Sequence, residues 1–206
     1  ARLEFAEKHI RNRTNWDKII FSDEKKWNLD GPDGIHFYWH DIRDEDRLLS
    51  RRQQGGGSVM TWAGFSANGT LDIAFLDGKQ DKYKYQDLLE VYLLPYGEDL
   101  AGPEWIFQQD NALAHRATDT KRWFEDHRVR VLDWPAVSPD LNPIENLWGI
   151  LVRRVYKKDG QPIQFQTREQ LKRAITEEWS KIDGQLLKNL ANSMYDRCMK
   201  VIKKNG

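Results

Sequence analysis

The chain has 206 residues, 39% of them hydrophobic with nine Trp, which is enough for one substantial core. Its 32 Lys and Arg balance 32 Asp and Glu, so bulk charge cannot drive indiscriminate nucleic-acid binding, although a local basic track beside an acidic site remains open. A single cysteine, Cys198, excludes a disulfide framework and a cysteine-rich zinc site, and no apolar run is long enough for a membrane span or signal segment. These totals point to a soluble intracellular protein, and the start without methionine reads as a fragment.

Residues 1–15 place Leu3, Phe5, Ala6 and Ile10 at helical spacing among charges, as in an amphipathic approach helix or linker end. In the run from Trp16 to Trp27, Ile19, Phe21, Asp23 and Trp27 share one face of an extended chain. Asp23 therefore continues an apolar face, either at a solvated strand end or paired with another group. After the turn signal D-G-P-D-G, a short strand is expected at Ile35 to Trp39, then an exposed loop ending in R-R-Q-Q-G-G-G-S. Arg51 and Arg52 in that loop either hold phosphates or are simply solvated. V-M-T-W-A-G-F-S reads as a buried strand, and the segment after Asn68-Gly69 as its hairpin partner.

From Asp81 to Pro95 the apolar spacing is helical. A strand W-I-F-Q-Q-D follows, with Asp110 at its C-terminal end; Asn111 is placed to cap a helix over A-L-A-H-R-A-T-D-T-K-R-W-F-E-D-H, and V-R-V-L-D-W reads as another strand. Pro135, Pro139 and Pro143 then forbid regular structure until an apolar helical stripe begins at Ile144. Asn142 as N-cap, Pro143 next and Glu145 third is a plausible helix start, and these residues form either a capping box or a mouth that presents Glu145. Arg153, Arg154, Lys157 and Lys158 are expected to close that helix. Two further helical segments, divided at Asp183-Gly184, complete a mixed α/β chain with a helical C-terminal cover.

Asp23, Asp110 and Glu145 converge if the two strands are neighbours and the helix covers them. Two carboxylates about 4 Å apart repel by roughly 4 kcal/mol at an effective dielectric of 20, so a converging trio calls for divalent cations or protonation. Oxygen ligands select hard Mg²⁺ or Mn²⁺, and a pair of such ions can activate a water or 3′-hydroxyl and stabilise the leaving oxygen of a phosphodiester. Spacing alone is weak evidence, because Glu24, Asp72, Asp133 and Asp140 are rivals.

The local contexts are more specific. F-S-D-E, Q-Q-D-N-A-x-x-H and S-P-D-L-N-P-I-E-N, with thirty-four residues between Asp110 and Glu145, together resemble the mariner superfamily of cut-and-paste DNA transposases over nearly the whole chain. The resemblance implies a ribonuclease H-like fold: a mixed central sheet flanked by helices, with C-terminal helices. It places the core at 16–160, a loop insertion at about 28–57, an approach segment at 1–15 and a helical part of the same domain at 161–206. It further implies that Asp23, Asp110 and Glu145 bind Mg²⁺, with Mn²⁺ able to substitute. Such a domain cuts double-stranded DNA at terminal inverted repeats and joins the 3′ ends to a TA target.

A homodimer in the DNA complex, with residues 28–57 as its clamp, and a nuclear location follow from the same resemblance. The family's helix-turn-helix region precedes the catalytic domain and is not expected within this chain. His115 reads either as a contact to DNA or as a structural histidine. Arg153, Arg154, Lys157 and Lys158 read either as a DNA track or as a solvated helix end. Trp62 and Trp148 are expected in the core, and Cys198 is expected to be inert. A catalytically silent DNA-binding or assembly module of the same fold is the alternative to an active enzyme.

Overall fold

The computed structural model describes residues 1–32, 57–158 and 160–206. The strand expected at Ile35 to Trp39, Arg51, Arg52 and most of the 28–57 insertion lie outside the described residues. Helix α1 (Arg2–Arg11) leads through a 3-10 turn at Trp16–Lys18 into β1 (Ile19–Asn28), the middle strand of the sheet. Ile19 and Phe21 face one core and Ile20 the other, all fully buried, as in a strand covered on both faces.

β2 (Ser58–Ser66) runs antiparallel to β1, from Phe21 opposite Phe65 to Asn28 opposite Ser58. The returning chain is not the single hairpin partner expected. It is split into β3 (Gly69–Thr70) and β4 (Ala74–Leu76), and the register slips by one residue between Phe65↔Thr70 and Trp62↔Ala74. One extra residue on the returning side bulges the ladder. In that gap the Leu71 carbonyl accepts the Trp179 indole N–H at 2.9 Å instead of serving the sheet.

Helix α2 (Lys82–Tyr92) is capped by Asp81, whose carboxylate accepts from the Tyr83 and Lys84 amides, and a short α3 (Gly97–Ala101) that periodicity did not reveal follows it. β5 (Ile106–Gln108) lies parallel to β1 on the side opposite β2, and β6 (Arg130–Val131) lies parallel to β5. The order is β3-β2-β1-β5-β6, with β4 also paired to β2. Helix α4 (Thr118–Asp126) links β5 to β6. Then come α5 (Ile144–Val155), the small ladder of β7 (Lys157–Lys158) with β8 (Gln161–Pro162), α6 (Arg168–Ser180) and α7 (Gly184–Lys203).

Both faces of the sheet are covered, giving the three-layer α/β arrangement with C-terminal helices that was expected. On one face Phe5, Ile19, Phe21, Leu147, Trp148, Leu171, Ala191 and Cys198 pack together from α1, β1, α5, α6 and α7. On the other, Ile20, Trp62, Tyr85, Leu89, Phe107, Trp123 and Phe124 join β1, β2, α2, β5 and α4. Trp62, Trp148 and Cys198 are core residues as expected, and burial pushes the Cys198 thiol up to about 11. Among the described residues, no helix is long and apolar enough to cross a membrane.

Two expectations need correction. Lys157 and Lys158 do not close α5: the helix stops at Val155, and the two lysines enter the ladder with Gln161 and Pro162. The helix expected from Ala112 begins only at Thr118, because the preceding residues fold around Asp110.

Candidate active site

Strand register brings the first two carboxylates to one edge. Phe21 and Gln108 are the last aligned pair of the parallel β1–β5 ladder, and Asp23 and Asp110 each follow that pair by two residues. Asp23 does not stand at a strand end, one of the two placements open from the sequence; β1 runs on to Asn28 against β2, and Asp23 emerges where β5 stops. The Ser22 hydroxyl donates to the Gln108 carbonyl at 2.8 Å, and the Ser22 amide donates to the Gln108 side chain at 3.1 Å. The two acid-bearing segments are thereby tied together immediately before the acids.

Asp110 organises its own turn. Its Oδ1 accepts the Ala112 amide at 2.9 Å and the His115 Nδ1–H at 2.6 Å. This leaves residues 112–117 outside a helix, and Asn111 is not a cap: its carboxamide donates to the Trp134 carbonyl at 2.9 Å. His115 is therefore not a turn into a helix facing DNA. It is 6% exposed, stacked on Tyr85 with ring centroids 4.0 Å apart, and its Nε2 lies 3.4 Å from Glu24 Oε1. Burial pushes the imidazole down, but bonds to Asp110 and Glu24 outweigh it and hold the ring up to about 9. The same bond to His115 holds the Asp110 carboxyl below its usual range.

Glu145 arrives from the proline-rich loop. Helix α5 is assigned from Ile144 with Pro143 as the half-in residue, one position later than expected, a shift within the usual latitude of helix ends. Asn142 still caps in substance, since its Oδ1 accepts the Ile144 amide at 3.3 Å. The glutamate half of a capping box is not made: the Asn142 amide donates to the Pro139 carbonyl at 3.0 Å. Among the described residues, no group hydrogen-bonds the exposed Glu145 carboxylate. The Asn142 Nδ2 donates to the Ser22 carbonyl at 3.1 Å, pinning this loop to β1 beside Asp23. Within the loop, Val137 is 93% exposed at φ 50°, a left-handed conformation that strains a β-branched residue.

Asp23 reports the proximity of these groups. Burial, then the negative charges of Glu24 and Glu145, push its carboxyl up to about 7, against the opposing pull of the Glu24 amide and the Trp148 indole. Trp148 Nε1–H donates to Asp23 Oδ2 at 3.1 Å. Sequence reading assigned Trp148 to the core alone and Glu24 to a rival carboxylate. Indole at i+3 from Glu145 on one helix was the available signal for the first role.

The donor set suits a hard divalent cation. Both ring nitrogens of His115 face carboxylates, so oxygen donors alone remain. Among the described residues, no three His, Cys, Asp or Glu side chains stand close enough to form a complete cage. That arrangement is ordinary for Mg²⁺, which takes one or two carboxylates and completes its shell with water and substrate phosphates. A cavity of about 230 Å³ opens beside Glu145, lined by Lys25, Trp148 and Gly149, and a cleft of about 390 Å³ beside Asp110 is lined by Arg116, Lys121 and Trp134. Arg116 and Lys121 were not among the expected cations. Arg153 and Arg154 are exposed in the last turn of α5, about 12 Å along the axis from Glu145.

The mixed sheet thus carries acidic residues past the end of its parallel ladder. The chain belongs to the DDE superfamily of endonucleases, whose family model matches residues 18–172. It is 46% identical over 205 residues to the Tc3 transposase of Caenorhabditis elegans, covering 100% of this chain and 61% of that protein. To the Tcb2 transposase of Caenorhabditis briggsae it is 34% identical over 210 residues, covering 100% of this chain and 75% of the relative. This chain thus spans less than two thirds of the Tc3 transposase.

Among solved structures, the Mos1 transposase paired-end complex with left transposon end matches at a TM-score of 0.85 and 20% identity, over 100% of this chain and 61% of that one. The catalytic domain of Mos1 mariner transposase matches at 0.73 and 18%, over 99% and 91%. These likenesses show the ribonuclease H-like fold.

Proposed function

We propose that this chain is the strand-cleaving and strand-joining domain of a cut-and-paste DNA transposase. The observation that carries the reading is the shared edge: Asp23 and Asp110 each two residues past the last β1–β5 pair, with Glu145 close enough to raise the Asp23 carboxyl. Membership of the endonuclease superfamily and 46% identity to the Tc3 transposase support it.

Asp23, Asp110 and Glu145 would hold Mg²⁺, with Mn²⁺ able to take its place. When bound, the cations supply Lewis-acid stabilisation of the phosphodiester and activation of the attacking water or 3′-hydroxyl. Asp110 is already ionised beside the His115 cation, so it is a ready oxygen donor. Asp23, raised to about 7 by burial and its acidic neighbours, becomes an oxygen donor as pH rises through that value. Trp148 fixes one Asp23 oxygen, which sets the plane of that carboxylate. Arg116 and Lys121, beside Asp110, are suited to the phosphate backbone of the double-stranded DNA.

In this reading the DNA partners are transposon inverted-repeat ends and a TA target, the active assembly is a homodimer, and the site of action is the nucleus. Solved structures of Mos1 include mariner paired-end complexes with Mn and with Mg, which supports the DNA and metal assignments by analogy of fold.

The test is to incubate the chain with supercoiled plasmid and a short duplex bearing a free 3′-hydroxyl, in Mn²⁺, Mg²⁺ or EDTA. Metal-dependent nicks together with covalent joining of the duplex are expected. Nicks without joining would indicate a nuclease only, and neither product under either metal would indicate a silent assembly module.

A further inference from the structure

Glu145 has no hydrogen-bonding partner among the described residues, so its aim depends wholly on where the first turn of α5 is held. Two arginines from distant parts of the chain hold it. On α7, Arg197 spends all three guanidinium nitrogens: Nε donates to Ser193 Oγ at 2.9 Å, Nη1 to the Asp140 carbonyl at 2.6 Å, and Nη2 to Asn146 Oδ1 at 2.6 Å. The bond to Ser193, one turn back on the same helix, pre-sets the fork, and the other two grip the loop before Pro143 and the residue after Glu145. On α1, Arg2 donates through Nη1 and Nη2 to the two Asp140 carboxylate oxygens, each at 2.8 Å, and through Nη1 to Ser138 Oγ at 2.8 Å.

We propose that Arg197, assisted by Arg2, is a positioning residue that fixes Glu145 against Asp23; the proposal rests on the transposase reading of the site. The path is continuous. Arg197 and Arg2 lock Asp140 and Asn146, the loop runs on to Asn142, and Asn142 donates to the Ser22 carbonyl next to Asp23. Asn142 caps one amide of the first turn, and the planar fork of Arg197 ties that turn from outside by donating to the Asp140 carbonyl and the Asn146 side chain. Lysine cannot reproduce it, because one ammonium cannot reach three acceptors in a fixed plane. A displacement of about 1 Å at a catalytic group can cost about a hundredfold in rate.

The experiment measures metal-dependent plasmid nicking and amide hydrogen exchange in wild type, Arg197→Lys, Arg197→Met, Asn146→Ala and the Arg197→Met/Asn146→Ala pair. Expected is a fall in kcat of about tenfold to a hundredfold for Arg197→Met, with KM for DNA unchanged and partial recovery in Arg197→Lys. The double variant should be no worse than Arg197→Met alone, and exchange should quicken over Asp140 to Leu147 while the far end of α5 stays protected. Wild-type nicking with an unchanged kcat in Arg197→Met overturns this proposal alone, as does loss spread evenly over kcat, KM and all of α5. Absence of wild-type nicking overturns the transposase reading, and this proposal with it.

Discussion

Asp23 occupies a position that stability alone would not choose. Its carboxyl is raised to about 7 in the folded chain from an ordinary value near 3.8, by burial first and by Glu24 and Glu145 second. A raised carboxyl contributes stability below its unfolded value and loses it as pH rises through the folded value, so at pH 8 an ionised Asp23 opposes folding. Asp23→Asn, whose amide oxygen can still accept the Trp148 indole N–H, should therefore raise stability at pH 8 in EDTA by roughly 1–3 kcal/mol while abolishing cleavage. A lower melting temperature would contradict this electrostatic account.

His9 carries the opposite sign. It is 7% exposed between Phe5 and Trp16, with Nδ1 on Thr14 Oγ1 at 2.8 Å and, among the described residues, no partner for Nε2. Burial, aided by Lys8 and opposed by Asp133, lowers the ring from 6.5 to about 4. The unfolded chain then takes up a proton first, so stability falls as pH drops from 6.5 toward 4. His9→Gln should flatten that part of the melting-temperature profile, and an unchanged slope would remove His9 as its cause.

At the scale of elements, tight packing gives a sharp prediction at α3. A Cβ on Gly97 would lie 2.5 Å from Trp105 ring atoms, so Gly97→Ala should cost about 1–3 kcal/mol in denaturant unfolding, and a neutral result would mean that the ring moves freely. Long periodic elements were legible beforehand: the α5 stripe from Ile144 to Val155, the buried run of β2, and the division between α6 and α7 at Asp183, which does cap α7. What stayed illegible were places where a side chain overrides a local preference. The 112–117 segment looks helical, yet Asp110 captures the Ala112 amide and the His115 ring. The partner of β2 looks continuous until one extra residue breaks its register near Leu71. The motifs singled out Asp23, Asp110 and Glu145; the bond of Trp148 to Asp23 had only its i+3 spacing from Glu145 as a signal, and the contacts of Glu24 and Arg197 join segments far apart in sequence.

For the whole molecule, the sheet serves as a ruler and the two helical layers as its mounts. The β1–β5 register carries Asp23 and Asp110 to the same end of their ladder, each two residues past its last pair, while α1, α5 and α7 secure the loop that carries Glu145. A neutral chain with two cations, Arg116 and Lys121, near Asp110 should bind DNA weakly and with a shallow salt dependence, leaving selectivity to geometry at the site.

The most direct test of the account is metal-dependent DNA strand cleavage by Asp110→Asn, measured beside wild type with folding followed by circular dichroism. The substitution barely changes volume, keeps an oxygen for the Ala112 amide and removes the ionised donor. The account predicts a folded protein whose cleavage in Mg²⁺ or Mn²⁺ falls to the level seen in EDTA. Cleavage at the wild-type rate would contradict it.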